Sequence, residues 1–428
     1  MKITVWAGGY VGLTGAIHHA LQGRDVLIYD PDESVVDAIN NGMPKAGEFL
    51  GYLGDKVKEV YATGRFRATS SERQALAAER TVHILAVPTE RQGHPYDDLV
   101  LRLLGNFARD HVHKGMTVLV ESTLTPGTID RFLGLCYESP HVPEIGKNWF
   151  LAVCPRRDWF ADPNKNMATL DRIVGGVTPA CTAKAVKILG PVSGRIHQTD
   201  YRTAEITKAL ENAMLHVPVV FAHQLAWALP EHDIVEALRL AATHWRLMEV
   251  YVGAGTGGRC VPLGTGYLTT AAQGRLTFGK SMLSFDRQFR QIIAETVLGR
   301  VDPPAPVLVL GIAYRPEFKD AGLSPGLDIA KDLRTLGFDV GVHDPMWSVG
   351  ELYAMTGFPF VDDLSQHRAI VVTVPHRAYI DMDIKPIEPG TFVLDCYGAW
   401  EKHRTQLEEM GVTYARVGRP GWRSSART

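Results

Sequence analysis

Cysteine is scarce in this chain of 428 residues. The five present, Cys136, Cys154, Cys181, Cys260 and Cys396, are odd in number and unclustered. No Cys-x-x-Cys pair occurs, which argues against a disulfide framework and offers no zinc spacing. An excess of charge is lacking too: 45 Lys and Arg stand against 47 Asp and Glu. A formal net charge of −2 leaves no electrostatic footprint for nucleic acid or an anionic membrane. Long hydrophobic runs are also missing. The most apolar stretch, from Met214 to Leu229, is interrupted by His216, Pro218, His223 and Gln224, so it reads as a buried helix rather than a membrane span. The opening MKITVWAGGYVG lacks a signal-type apolar region. A reduced, cytoplasmic protein is the expectation, without metal, membrane or nucleic-acid partner. With 45% hydrophobic residues, the length suffices for two or three domains with real cores.

What is present is alternation. Strand-like runs (KITVWA, VLIYD, VHILAV, MTVLVES, FLAVC, DRIVGG) alternate with helical stretches up to about residue 195. The pattern changes near Arg202 to apolar residues at helical spacing, with Pro218 expected to kink that helix. After Pro303, Pro304 and Pro306 a second series begins: VLVLGIAY, DVGVHDP, AIVVTVP and TFVLDC. The predicted fold class is α/β: two Rossmann-like, doubly wound domains (1–198 and 303–428) joined by a long-helix central domain (199–302). No repeat links the two halves at sequence level, and the tail GRPGWRSSART reads as loosely held.

The first strand runs into Ala7-Gly8-Gly9-Tyr10-Val11-Gly12. Gly9 lets backbone meet a pyrophosphate, Gly12 lets the helix pack on the strand, and the helix N-terminus offers amides to phosphate. Ala7 stands where a glycine is usual. Asp30 closes the second strand 18 residues after Gly12 and suits a ribose 2′-hydroxyl, which favours NAD over NADP. Two further segments, Ala86-Val87-Pro88-Thr89 and Glu121 to Thr128, end strands at the edge where α/β proteins bind ligands. Each alone also fits an ordinary capped loop. The expected cofactor set is Gly8, Gly9, Tyr10, Val11, Asp30, Val87, Pro88, Thr89, Ser122 and Thr123.

The run GAGTGGRCVPLGTGYL presents one thiol, Cys260, after a string of glycines. Such a backbone can approach a ligand closely. The thiol is either a small buried hydrophobe or a nucleophile, and the glycine density favours the nucleophile.

Taken together, GGYVG, AVPT, ESTLTPGT, AEITKALEN, GAGTGGRCVP, LGIAYRPEFKDAGLSP and VHDP resemble the UDP-glucose/GDP-mannose dehydrogenase family over nearly the whole chain. The spacing from Arg246 to Cys260 is nearest the branch with UDP-N-acetylmannosamine dehydrogenases. The resemblance implies oxidation of a nucleotide-sugar primary alcohol with two NAD⁺ in sequence, through a thioester on a cysteine. It implies Cys260 as nucleophile and Lys208 as stabiliser of oxyanions. It also implies Asn212 in the active site and Thr123 holding a water. Arg246 would reach the substrate of a neighbouring subunit in a homodimer. The implied substrate set is Arg156, Lys208, Asn212, Arg246, Gly257, Arg315 and Tyr397. By spacing alone, Lys208 and Asn212 equally fit a solvated helix face.

The chain departs from the family at three points. Gly264 replaces the Asp of Cys-x-Pro-x-Asp, Arg156 replaces the Glu after Cys154-Pro155, and Tyr397 replaces the Arg after Asp395-Cys396. Gly322 also stands where relatives often carry Arg. Two changes remove carboxylates from thioester hydrolysis, and losing a positioned base costs on the order of 10²–10⁴ in rate. The expectation is an oxidoreductase that handles an atypical substrate or stops before the acid, unless Asp158 restores the base. Arg156, if it pointed inward, would favour thiolate or pair with a substrate anion. A non-catalytic nucleotide-sugar or NAD-binding homologue is the alternative, and a two-domain β-hydroxyacid dehydrogenase ranks last.

Overall fold

The computed structural model describes residues 1–44, 53–137, 142–159 and 162–423. The chain divides into two compact units, Met1–Glu211 and Asn212–Thr428.

The first unit holds an eight-stranded sheet. Its spatial order is Ile196–Asp200, Arg172–Gly176, Phe150–Val153, Thr117–Val120, Val82–Leu85, Lys2–Trp6, Asp25–Tyr29, Phe66–Thr69. Neighbours are parallel except Phe150–Val153 with Arg172–Gly176. Central strands such as Val82–Leu85 and Thr117–Val120 are buried throughout, because helices cover both faces. The chain crosses the sheet and reverses beside Lys2–Trp6, so a crevice opens at the carboxyl ends of the central strands. Trp6, Phe107, Phe132 and Trp149 fill the core, each under 2% exposed.

The second unit holds a five-stranded, wholly parallel sheet in the order Asp339–His343, Pro306–Leu310, Ala369–Val372, Phe392–Asp395, Thr413–Arg416. Its strands feed two cores by alternation. Val307, Val309 and Val371 join one with helices Thr277–Leu298 and Pro325–Thr335, while Leu308, Leu310, Ile370 and Val372 join the other. Each such side chain, fully buried, stabilises by roughly 1.5–3 kcal/mol.

Five strands escaped the sequence reading: the short antiparallel ribbon of Glu90–Arg91 and His94–Pro95, and Phe66–Thr69, Ile196–Asp200 and Thr413–Arg416. The last three are sheet edges, each broken by polar residues and therefore without a continuous apolar run.

The long helix, Tyr201–Ala228, continues through Pro218 as one element, without the expected opening. Its apolar stretch is buried on one side only, through His216, Val220, Ala222, His223 and Ala226. Ile206, Leu210, Met214 and Phe221 form an exposed stripe along one face. A second correction concerns the tail. Trp422 is buried, donates its indole N–H to the Ala226 carbonyl at 3.0 Å and packs on Phe289. Its last residues, 424–428, lie outside the described residues. No described helix is long and apolar enough to cross a membrane.

Candidate active site

The dinucleotide turn forms as the residue types require, with one irregularity. Ala7 takes φ +86°, a left-handed value that a Cβ makes costly by about 1–2 kcal/mol. A Cβ on Gly12 would lie 1.9 Å from the Ala7 carbonyl oxygen, so only glycine lets helix Tyr10–Leu21 pack here. Gly9, by contrast, has nothing within 4 Å of such a Cβ. That open side faces a cavity of about 810 Å³ lined by Gly8, Gly9, Tyr10, Asp30, Val87 and Pro88, among others. Such a volume suits a cofactor.

The Asp30 carboxylate accepts from the Gly8 amide at 2.8 Å and the Asp32 amide at 3.0 Å, one on each oxygen. Each oxygen keeps a second lone pair, enough for a ribose diol. The donor set and the glycine cradle therefore fit NAD. Reasoning from sequence missed the cavity's other wall: Leu99, Arg102, Leu103 and Asn106. They share one face of helix Asp98–Asn106 at i, i+3, i+4 and i+7, a periodicity that was available to be read.

Four expected cofactor residues stand apart from that cavity. Val11 turns its carbonyl to Arg156 at 3.1 Å. Thr89 Oγ1 donates to the Thr123 carbonyl at 2.6 Å, and Ser122 Oγ donates to the Val87 carbonyl at 2.7 Å. These hydroxyls tie the two loops together rather than face the cavity. The Thr123 side chain is half-buried on that tie.

Arg156 is a correction as well. It is 6% exposed, pairs with Glu121 at 3.2 Å and with Asp158, and donates to Thr14 Oγ1 at 3.1 Å. Buried on two carboxylates of the protein itself, it is not presented to a substrate anion. Asp158, the candidate replacement base, is buried in the same pair. Burial alone would raise the Glu121 carboxyl, but Arg172 and Arg156 hold it below the usual carboxylate range.

Lys208 is mostly buried, with Nζ 3.8 Å from Glu211. Glu211 also pairs with Arg157 at 2.9 Å, two residues that sequence reasoning did not single out. Glu205, in the same AEITKALEN motif, accepts from the amides of Gly127 and Ile129 at 2.8 and 2.9 Å. It thereby secures the ESTLTPGT loop to the long helix.

In the second unit Asn212 is buried. Cys260 is exposed and sits at the N-cap of helix Val261–Ala271. The glycines before it have a different cause from the one expected. A Cβ on Gly253 would lie 2.2 Å from the Tyr397 ring, and one on Gly257 would lie 2.8 Å from Tyr314 and Pro325. They admit the protein's own side chains rather than a ligand. Tyr397 is thus packed on the thiol segment, its hydroxyl pushed up to about 12, chiefly by burial.

The thiol segment is further laced by Arg290, which donates to the Thr256 carbonyl at 2.6 Å, and by Asp286, which accepts from the Thr256 amide at 3.0 Å. Arg315 stacks on Phe318 with 3.8 Å to the ring centroid. A Cβ on Gly322 would lie 3.0 Å from Arg259 Nε, so a cation borders that position although the residue itself is neutral. Gly264 belongs to the thiol's helix and brings no side chain. Arg246 lies on an exposed segment, stacked at 4.4 Å on Trp245, which is 80% exposed.

A dinucleotide cradle on a doubly wound sheet, with a second parallel sheet and an exposed thiol, is the equipment of a dinucleotide-dependent dehydrogenase. Comparison with known proteins agrees. Three models of one family match in order: UDP-glucose/GDP-mannose dehydrogenase family, NAD binding domain over residues 1–192, central domain over 202–284, and UDP binding domain over 308–402. The chain belongs to the UDP-glucose/GDP-mannose dehydrogenase family and is an NAD-dependent dehydrogenase acting on a CH–OH group.

Among similar proteins is a UDP-N-acetyl-D-mannosamine dehydrogenase of Pyrococcus horikoshii, 28% identical over 81% of this chain and 84% of its own. Another is an NDP-N-acetyl-D-galactosaminuronic acid dehydrogenase of Ralstonia nicotianae, 27% identical over 94% and 97%. The solved UDP-D-ManNAc dehydrogenase from Pyrococcus horikoshii superposes with a TM-score of 0.85, at 25% identity, covering 98% of this chain and 99% of that one.

Proposed function

We propose that this chain oxidises a primary alcohol on a nucleotide sugar, of the UDP-N-acetylhexosamine kind, and that the oxidised carbon is carried on Cys260. The carrying observation is the exposed thiol at the head of an eleven-residue helix, in a chain of this family. NAD, held by Gly8, Gly9, Tyr10 and Asp30, supplies a hydride acceptor in each of two oxidations. Between them Cys260 Sγ adds to the substrate's aldehyde carbon and forms a thiohemiacetal. The second oxidation leaves a thioester, and water releases the carboxylate and restores the thiol. Lys208 and Asn212 stabilise the oxyanions, and Thr123 holds a water.

Release is the slow step. The carboxylates that would activate water are replaced by Gly264 and Arg156, and Asp158 is locked onto Arg156. Arg315, with Arg259, supplies cations to the nucleotide's phosphates, while Tyr397 brings no cation to that task.

Two copies associate through the exposed stripe of helix Tyr201–Ala228, and Arg246 serves the partner's site. Apolar patches of this kind mark interfaces. Domain limits of 1–198, 199–302 and 303–428 belong to the same reading. So does a cytoplasmic setting, since all five cysteines are free.

The test is NADH formation from NAD⁺ and a panel of nucleotide sugars, with Cys260→Ser as control. Expected is a burst of two NADH per chain followed by slow turnover, abolished in the control. Steady formation of two NADH per carboxylate with no burst contradicts slow release. Silence with every sugar contradicts the enzyme reading.

A further inference from the structure

Arg156 stands where the family carries a carboxylate, and its surroundings show what it does instead. Its guanidinium reaches into helix Tyr10–Leu21, donating to the Val11 carbonyl and to Thr14 Oγ1, both at 3.1 Å. On its other side it holds Glu121 and Asp158. Glu121 is gripped a second time by Arg172, which also donates to the Cys154 carbonyl at 2.9 Å. Two cations and two anions close a neutral, buried set, the condition under which buried charge is tolerated. The helix is cut to fit: a Cβ on Gly15 would lie 2.7 Å from Arg156 Nη1.

Val11 and Thr14 belong to the opening turns of the helix whose first residue, Tyr10, lines the cofactor cavity; Arg156 itself is not among the lining residues. We propose that Arg156 is a positioning residue for the dinucleotide. It clamps the opening turns of the cofactor helix to Glu121, so that the helix N-terminus is held at the cavity. An ionised glutamate has no donor for the Val11 carbonyl, so the position cannot serve as clamp and as base.

The test is NADH affinity, measured by fluorescence titration on the purified full chain without substrate, beside thermal unfolding. Arg156→Met is expected to weaken NADH binding about ten-fold, and Arg156→Lys to recover part of that loss. Gly15→Ala touches neither cavity nor thiol and improves helix propensity. It is nonetheless expected to weaken NADH about three-fold or more by displacing the guanidinium. In the Arg156→Met background the same change should cost almost nothing, a coupling that a purely structural role would not produce. Should Arg156→Met fail to fold, Gly15→Ala and Thr14→Val carry the test. Native NADH affinity in Gly15→Ala, Thr14→Val and Arg156→Lys overturns the proposal, as does full additivity of Gly15→Ala with Arg156→Met. Arg156→Glu is expected to lose folded yield. A folded Arg156→Glu with native NADH affinity also overturns it.

Discussion

The two large sheets solve one packing problem and part company over a single acid. In the first unit a Cβ on Gly12 would lie 1.9 Å from the Ala7 carbonyl oxygen; in the second, one on Gly326 would lie 2.1 Å from the Gly311 carbonyl oxygen. Ala7 and Gly311 both take positive φ, +86° and +108°. The turn after the first strand is thus the same device twice. The acid after the second strand is not. Asp30 is half-buried, accepts the Gly8 amide and lines a cavity. Asp344 is fully buried, accepts the amides of Ile312 and Ala313 at 2.6 and 2.7 Å, and lies 3.3 Å from His376. A glycine-and-positive-φ turn therefore reports strand-to-helix packing. The ligand is reported by whether the acid keeps a face free.

Substitution of the two acids breaks this comparison most sharply. Asp344→Asn removes the charge from a buried, fully used carboxylate and should cost about 3–5 kcal/mol. Chemical denaturation should show that loss with NADH affinity unchanged. Asp30→Asn should do the reverse, weakening NADH about ten-fold, or about 1.4 kcal/mol, with little change in unfolding midpoint. Equal stability losses in both variants would sink the distinction.

Acid should weaken both halves next. Burial, the leading cause in each case, lowers His18 to about 4, His19 to about 3 and His83 to about 3 in the first unit, and His223 to about 4 in the second, where it lowers His216 and His343 as well. Between the unfolded value near 6.5 and these folded values, the unfolded chain binds more protons. Their contribution is therefore complete above pH 6.5 and is lost as pH falls toward 3–4, by on the order of a few kcal/mol. Hydrogen exchange should find both units less protected at pH 4 than at pH 7; undiminished protection in both would refute this. The smallest effect is Ala7→Gly. It relieves the left-handed strain and should stabilise by about 1 kcal/mol, whereas a lower melting temperature would show that the strain is absent.

Much of this was legible in the chain itself. The central strands announced themselves because burial on both faces leaves unbroken apolar runs. Edge strands such as Ile196–Asp200, mostly exposed, carry no such signal. In the candidate site, Gly8, Gly9, Tyr10 and Asp30 were readable because a turn and its acid lie close in sequence. Arg156 was not, since its partners Thr14 and Glu121, and Arg172 that grips Glu121 a second time, come from three distant segments. The glycines before Cys260 were read as room for a ligand. Tyr397 lies more than a hundred residues away, and no local pattern shows that its ring fills that room.

The central claim is that Cys260 carries the oxidised carbon and gives it up slowly. Rapid quenching of the native chain with NAD⁺ and a nucleotide sugar it turns over, followed by mass analysis of the Cys260 peptide, tests this most directly. An acyl adduct on Cys260 that accumulates within the first turnover and decays with the steady-state rate is predicted. An unmodified Cys260 peptide at every time point, while carboxylate is released freely, would contradict it.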